Sequence, residues 1–208
     1  MNTNETPVFT VGHSTHSAEV FVALLHQHGI EALADVRSSP FSRFNPQFNR
    51  ENLERSLKEN GIRYVFLGKE LGARSDDRSC YDHGQVQYAR LAQTDLFRSG
   101  LDRVLQGAAR YRVALMCAEK EPLECHRTIL VAKALAERGK PVQHIHADGH
   151  LETHEAAMER LLEMTGVPKE DLFRTREELL ADALQKQEAK IAYVEDDQSS
   201  LSLREDPT

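Results

Sequence analysis

Val113-Ala114-Leu115-Met116 runs directly into Cys117-Ala118-Glu119-Lys120-Glu121-Pro122-Leu123-Glu124-Cys125-His126-Arg127, and Ile129-Leu130-Val131-Ala132-Lys133-Ala134-Leu135-Ala136 follows. The first four residues are apolar without alternation, which reads as a strand buried on both faces. The last eight read as a helix that Gly139 stops. Between them lie two thiols, carboxylates, an imidazole and a guanidinium. In α/β proteins such a strand-to-helix junction is where ligands bind, because the helix N-terminus presents free N–H groups and positive potential.

The flanking sequence supplies the rest of such a fold. Val8-Phe9-Thr10-Val11 is a short apolar strand ended by Gly12-His13-Ser14. A helix follows, capped by Ser17, striped with Val20, Phe21, Leu24 and Leu25, and closed by Gly29. Ala32 to Val36 is the second strand, so the unit reads βαβ and the two strands are parallel. Ile62 to Leu67, Arg112 to Met116 and Val142 to Ala147 are the third, fourth and fifth strands. Strands alternating with helices predict a three-layer α/β sandwich around a mainly parallel five-stranded sheet. A Rossmann-like order of 3-2-1-4-5 makes the first and fourth strands neighbours. That order gathers His13, Ser14, Asp35, Arg37, Cys117, Glu119 and His146 at one crevice. It predicts that the His13 and Cys117 side chains face a common pocket.

The α/β domain spans 1–165. Residues 166–194 form a helical extension whose Leu172, Leu179, Leu180, Leu184 and Ile191 recur at helical spacing. That stripe can dock on the domain or form a homodimer with a second subunit. Residues 195–208 are an acidic, polar tail of disordered composition. The loop from Arg37 to Asn49 holds Phe41, Phe44 and Phe48. A loop this aromatic is expected to fold over core or ligand.

Composition narrows the classes. The chain has 208 residues, 26 Lys and Arg against 33 Asp and Glu, and a net charge of −7. This offers no global attraction to nucleic acid or to an anionic membrane, although a local basic patch remains open. No apolar run is long enough to span a membrane, and the N-terminus has no signal-peptide pattern. Cys80, Cys117 and Cys125 are too few for a disulfide framework, so a reducing cytoplasm is expected.

The candidate chemistry follows from residue types. Cys125, at a helix N-terminus beside cations, is either an activated nucleophile or a packed thiol. Cys117 is the alternative nucleophile. Glu119 and His13 are placed to move protons. Ser14, Asp35, Arg37, His126 and Arg127 are candidates for holding a substrate, the arginines by gripping phosphate or carboxylate. A divalent metal is a further reading, with Cys117, Cys125, His144 and His146 as ligands, though the two cysteines lack tight zinc-site spacing. There is no phosphate-binding P-loop, no dinucleotide fingerprint and no five-residue phosphate-binding cysteine loop.

Three ordered blocks resemble one family. They are Thr10-Val11-Gly12-His13-Ser14, Asp35-Val36-Arg37-Ser38-Ser39-Pro40 and the Cys117 to Arg127 stretch, and they resemble the domain-of-unknown-function 488 family. Leu67-Gly68, Leu71-Gly72 and His144 to Gly149 add to the likeness. The resemblance implies a compact α/β domain and no particular activity. The residues themselves predict an enzyme acting on an anionic substrate, whether phosphorylated, nucleotide-like or nucleic acid. The alternatives are a non-catalytic nucleic-acid or nucleotide binding module and a metal-dependent hydrolase.

Overall fold

The computed structural model describes residues 6–195. The tail expected from residue 195 lies, apart from Glu195 itself, outside the described residues. The central sheet is built from β1 (Val8–Gly12), β2 (Ala32–Asp35), β3 (Arg63–Phe66), β6 (Val113–Cys117), β7 (Val142–Ile145) and β8 (Leu151–Thr153), with a small hairpin, β4 (Tyr81–Asp82) and β5 (Gln85–Val86), apart from it. The strand order is β3-β2-β6-β1-β7-β8. The first five strands in that order pair in parallel, and β8 is antiparallel to β7.

This order corrects the expected one. β1 and β6 are neighbours as anticipated, but β6 sits between β1 and β2 instead of beyond β1. The crossover from β1 to β2 leaves a gap of one strand, and β6 later fills it. Burial is compatible with both orders: β1, β2 and β6 are all fully buried and interior, and β3, which alternates exposed and half-buried positions along Arg63, Tyr64, Val65 and Phe66, is outermost of the five parallel strands in either.

The sixth strand also departs from expectation. Gly149 takes a left-handed φ of +88°, which turns the chain after β7. The His146 N–H then donates to the His150 carbonyl, and β8 adds a sixth strand to the five expected. The fifth strand correspondingly ends at Ile145 instead of Ala147.

Helices cover both faces. α1 (Ala18–Gln27) and α2 (Arg50–Glu59) bury Phe21, Leu25, Leu53 and Leu57 against Phe9, Val11, Leu33, Ala114 and Met116. The opposite face carries α5 (Asp95–Ala108), the helical stretch beginning at His126, α7 (His154–Thr165) and α8 (Arg176–Ile191). Their Val104, Leu135, Leu161 and Leu179 pack with Val8, Leu115 and Cys117. Short α3 (Gly68–Leu71) and α4 (Tyr88–Leu91) bridge β3 to α5, and α6 (Lys133–Glu137) ends the helical stretch after β6.

α8 starts later than the sequence suggested. A capping box fixes its start, with the Thr175 hydroxyl accepting from the Glu178 N–H and the Glu178 carboxylate accepting from the Thr175 N–H. Leu179, Ala183 and Gln187 are its buried face, and Gln187 Nε2 donates to the Leu123 carbonyl at 2.9 Å. Of the expected stripe, Leu179, Leu180, Leu184 and Ile191 pack within the chain, whereas Leu172 precedes the helix and is 93% exposed.

Candidate functional site

Register decides which residues meet. Gly12 pairs with Cys117, and partners in a parallel ladder point to the same face. His13, one residue on, therefore points to the opposite face from Cys117. The common pocket expected for these two side chains does not form, and the polar residues fall into two groups.

The first group lies on the α1/α2 face. Arg37 donates to Asp35 Oδ1 through Nε at 2.9 Å and to Oδ2 through Nη2 at 2.7 Å, and Nη2 also reaches the Phe48 carbonyl at 2.9 Å. The Tyr64 hydroxyl donates to Asp35 Oδ2 at 2.8 Å, and burial first, then the nearby Asp35 carboxylate, pushes the phenol's pKa upward. Asp35 is fully buried and committed to these partners, which removes it as a substrate contact. His13 stacks on Phe48 with ring centroids 4.2 Å apart. Its Nδ1–H donates to the Ser14 carbonyl at 2.8 Å, so Nε2 carries the lone pair facing Arg37 Nη1 at 3.2 Å. Burial above all, aided by the Arg37 charge, lowers its pKa to about 4. Ser14 holds a left-handed backbone, φ 49°, that presents its carbonyl to this ring. Of the three phenylalanines in the 37–49 loop, Phe48 is buried, whereas Phe41 and Phe44 are 67% and 90% exposed. The expected folding of that loop over the core is therefore confined to Phe48.

The second group lies on the α5/α8 face, where β6 runs out. Cys117, Cys125 and His126 are all buried, and their ligand atoms lie within 4.8 Å of one another. His126 Nδ1 is 3.7 Å from Cys117 Sγ and 3.8 Å from Cys125 Sγ. Its Nε2–H donates to the Val36 carbonyl at 3.0 Å, which leaves Nδ1 facing the sulfurs. Glu119 Oε2 accepts from the Cys125 thiol at 3.0 Å. Cys125 has an extended backbone, its carbonyl starts the following helix, and its sulfur accepts the Arg127 N–H at 3.5 Å. The next turns, Arg127–Ala132, are π-helical.

The two thiols share one environment with opposite outcomes. Burial raises both. For Cys125 the hydrogen bond from Cys117 and the charges of Arg127 and His126 outweigh burial, so its pKa falls. Cys117, facing Cys125 and Glu119, is held as the protonated partner. Burial and then the Cys125 charge push the Glu119 carboxyl up.

Arg127 is not available to a ligand. Its side chain is fully buried, with Nη1 donating to the Glu119 carbonyl at 2.8 Å and Nη2 to the Lys120 carbonyl at 3.4 Å. It braces the Cys117–Lys120 turn from beneath. Gly12 completes that brace, because a Cβ there would sit 1.8 Å from the Glu119 oxygen. His144 and His146 are likewise absent from the sulfur cluster. His144 bonds Thr10 Oγ1 at 2.8 Å and His154 Nδ1 at 3.2 Å, and His146 pairs with Glu152 at 2.9 Å. Among the described residues, Cys117, Cys125 and His126 are the sole group with metal-ligand spacing.

A cavity of about 270 Å³ opens beside Cys117, Glu119, Cys125 and His126, and Arg37, Ser38 and Ser39 form another part of its wall. Gly68 makes this wall fit, since a Cβ there would lie 2.0 Å from the Arg37 carbonyl. The rest of the lining comes from residues that sequence alone did not single out. Arg74 is exposed and lies 4.0 Å over the Tyr193 ring. Tyr88 is buried, and its hydroxyl has no hydrogen-bond partner among the described residues. Ile191 and Tyr193 follow from α8, so the C-terminal helix delivers part of the site. Arg74 and Tyr88 lie 43 and 29 residues upstream of Cys117 in the sequence, and no local pattern ties them to it. A larger cavity of about 510 Å³ runs along β2 and β3 beneath α5, lined by Ala32, Ala34, Val65, Leu67, Val104 and Tyr111, and none of these reactive groups lines it.

No curated protein and no solved structure matches the chain. No helix of the described residues is long and apolar enough to cross a membrane. The family model described as "Domain of unknown function DUF488" matches residues 17–134. Its span leaves out Thr10 to Ser14 and takes in both Asp35 to Pro40 and Cys117 to Arg127, the two blocks whose loops face each other across the smaller cavity. As that match covers more than half of the sequence, the chain belongs to the DUF488 family.

Proposed function

We propose that the protein is an enzyme acting on a small anionic ligand held in the 270 Å³ cavity. The carrying observation is that an exposed cation and a reactive cluster line the same cavity. Arg74 and the Ser38 and Ser39 hydroxyls offer an anion its partners, while Cys117, Glu119, Cys125 and His126 present thiol, carboxylate and imidazole to whatever the anion is attached to. Arg37 adds less than sequence suggested, because Asp35 already neutralises it. The volume is slightly below the roughly 300–1,000 Å³ of sites that enclose drug-sized ligands, which favours a phosphorylated or carboxylated small molecule, or one end of a larger one.

Isothermal titration with inorganic phosphate, a nucleoside monophosphate and a sugar phosphate tests the reading. The expected result is binding of at least one of them by the wild type, weakened about tenfold by Arg74→Ala, the loss of one charge-assisted contact. If no anion binds at low salt, or Arg74→Ala binds as well as wild type, the reading is wrong.

A second reading is favoured by the exposed Phe41 and Phe44, which flank Arg43. Aromatics beside a cation can stack the bases of a single strand, making this protein a nucleic-acid binding module. Absence of single-stranded oligonucleotide binding at low salt removes that reading.

A further inference from the structure

We propose that Cys117, Cys125 and His126 bind a divalent transition-metal ion, zinc by ligand type, leaving one coordination position open to the cavity beside Glu119. The inference supplies a cofactor to the site proposed above and rests on that reading only for its location.

The ligand spacing carries it. Zinc–sulfur bonds of about 2.3 Å and zinc–nitrogen bonds of about 2.05 Å at a tetrahedral angle put a sulfur and a nitrogen ligand about 3.6 Å apart. The two sulfur-to-Nδ1 separations here are 3.7 and 3.8 Å. One imidazole nitrogen thus stands at a zinc-ligand distance from two separate thiols, contributed by the end of β6 and the start of the next helix.

The surroundings fit the same ion. A metal-bound imidazole usually donates its remote N–H to a carbonyl or carboxylate, and His126 Nε2 does so to Val36. The Cys125 sulfur already accepts a backbone N–H, as ligating thiolates do. Two thiolates and one dication sum to zero charge, so the loaded centre can be buried without an uncompensated ion. Soft sulfur with imidazole selects zinc over magnesium or calcium, and the spacing of eight residues between the cysteines is met by folding instead of by a short local loop.

Three protein ligands with an open position mark a catalytic zinc site. The open side faces the cavity, where the Tyr88 hydroxyl is buried with no hydrogen-bond partner among the described residues. Glu119 stands outside the ligand trio yet 3.0 Å from Cys125. A water at the open position loses a proton to Glu119 as its oxygen bonds to the electrophilic atom of the substrate. The bond to the leaving group then breaks, and the leaving group takes up the proton from Glu119. The reaction class is hydrolysis, with water as co-reactant.

The test is metal analysis of protein bearing no histidine tag, isolated reduced and reconstituted with zinc, together with absorption spectra after cobalt substitution. We expect one zinc per chain, and a cobalt spectrum with thiolate charge-transfer bands and intense tetrahedral d–d bands. Cys117→Ser, Cys125→Ser and His126→Asn each reduce the content several-fold, whereas Glu119→Gln and Arg74→Ala keep it. Wild type holding far less than one equivalent, a weak octahedral cobalt spectrum, or a Cys117–Cys125 disulfide in thiol titration overturns the proposal without recourse to any variant. Loss of metal in Glu119→Gln overturns the open position by making Glu119 the fourth ligand. Zinc at full stoichiometry with no anion binding leaves this inference standing and removes the functional reading above. Anion binding without zinc does the reverse.

Discussion

Gly12→Ala adds one methyl group at the end of β1, and its cost can be worked from the contacts there. The new Cβ would stand 1.8 Å from the Glu119 carbonyl oxygen, 2.9 Å from the Glu119 carbonyl carbon and 3.2 Å from Arg127 Nη2. To reach even 3.0 Å, the oxygen must retreat about 1.2 Å. It cannot do so freely, because Arg127 Nη1 holds it at 2.8 Å and the Ser14 N–H holds the neighbouring Ala118 carbonyl at 2.9 Å. Overpacking costs about 1–3 kcal/mol and a hydrogen bond to a charged donor is worth about 1.5–3 kcal/mol, so a loss of about 3–5 kcal/mol is expected. At this chain length that corresponds to a fall of roughly 6–20 °C in Tm. The control is Gly107→Ala in α5, where the nearest contact of a new Cβ is Val113 at 3.7 Å. There the better helix propensity of alanine should stabilise by up to about 1 kcal/mol. Urea denaturation followed by circular dichroism measures both. A Gly12→Ala variant within 1 kcal/mol of wild type would refute the claim that the Glu119 turn is pressed against β1.

Three further outcomes follow from the same coordinates. Arg127→Met removes a buried guanidinium and leaves the Glu119 and Lys120 carbonyls without their donor, so denaturation should show a loss of about 3–5 kcal/mol. Thr175→Ala deletes half of the capping box of α8 and should cost about 1 kcal/mol by the same assay. Burial foremost, and then His154, lowers the His144 pKa from the ordinary imidazole value of 6.5 to about 3. The unfolded chain thus binds the extra proton first; the contribution is complete above pH 6.5 and declines as pH falls toward 3. By pH 5 this amounts to about 2 kcal/mol, and comparing urea midpoints at the two pH values for wild type and His144→Asn should show a shallower decline in the variant.

Much of the fold is legible in the sequence because it rests on local signals. The unbroken Val113–Met116 run, the stripe of Phe21, Leu24 and Leu25, and the glycines that stop helices are each read within a dozen residues. Strand order is different. Which gap β6 fills depends on a choice among apolar strands of similar length and equal burial, and only the pairing of β6 with both β1 and β2 resolves it. The site divides in the same way. Cys117 and Cys125 sit close along the chain and read as one site, but the imidazole beside them is His126, expected as a substrate contact, and not His144 or His146. The place of His13 is not legible, because a single step in register, Gly12 and not His13 opposite Cys117, sends its side chain to the other face. Nor is that of Arg127, because a guanidinium that binds carbonyls from beneath a turn has the same sequence signature as one that binds phosphate. Arg74, Tyr88 and Tyr193 carry no signal until α8 and the β4–β5 hairpin bring them to the cavity.

The last described residues have a practical bearing on how this protein is handled. The Val86 N–H donates to the Tyr193 carbonyl, Val194 bridges to Gln85, and the Glu195 N–H donates to the Gly84 carbonyl. Residues 193–195 are thereby zipped onto the β4–β5 hairpin, in the same segment whose Tyr193 contributes to the cavity wall. Deleting residues 193–195 would remove this pairing and the Tyr193 part of the cavity wall together, so a shortened chain that ends before Tyr193 should lose part of its site.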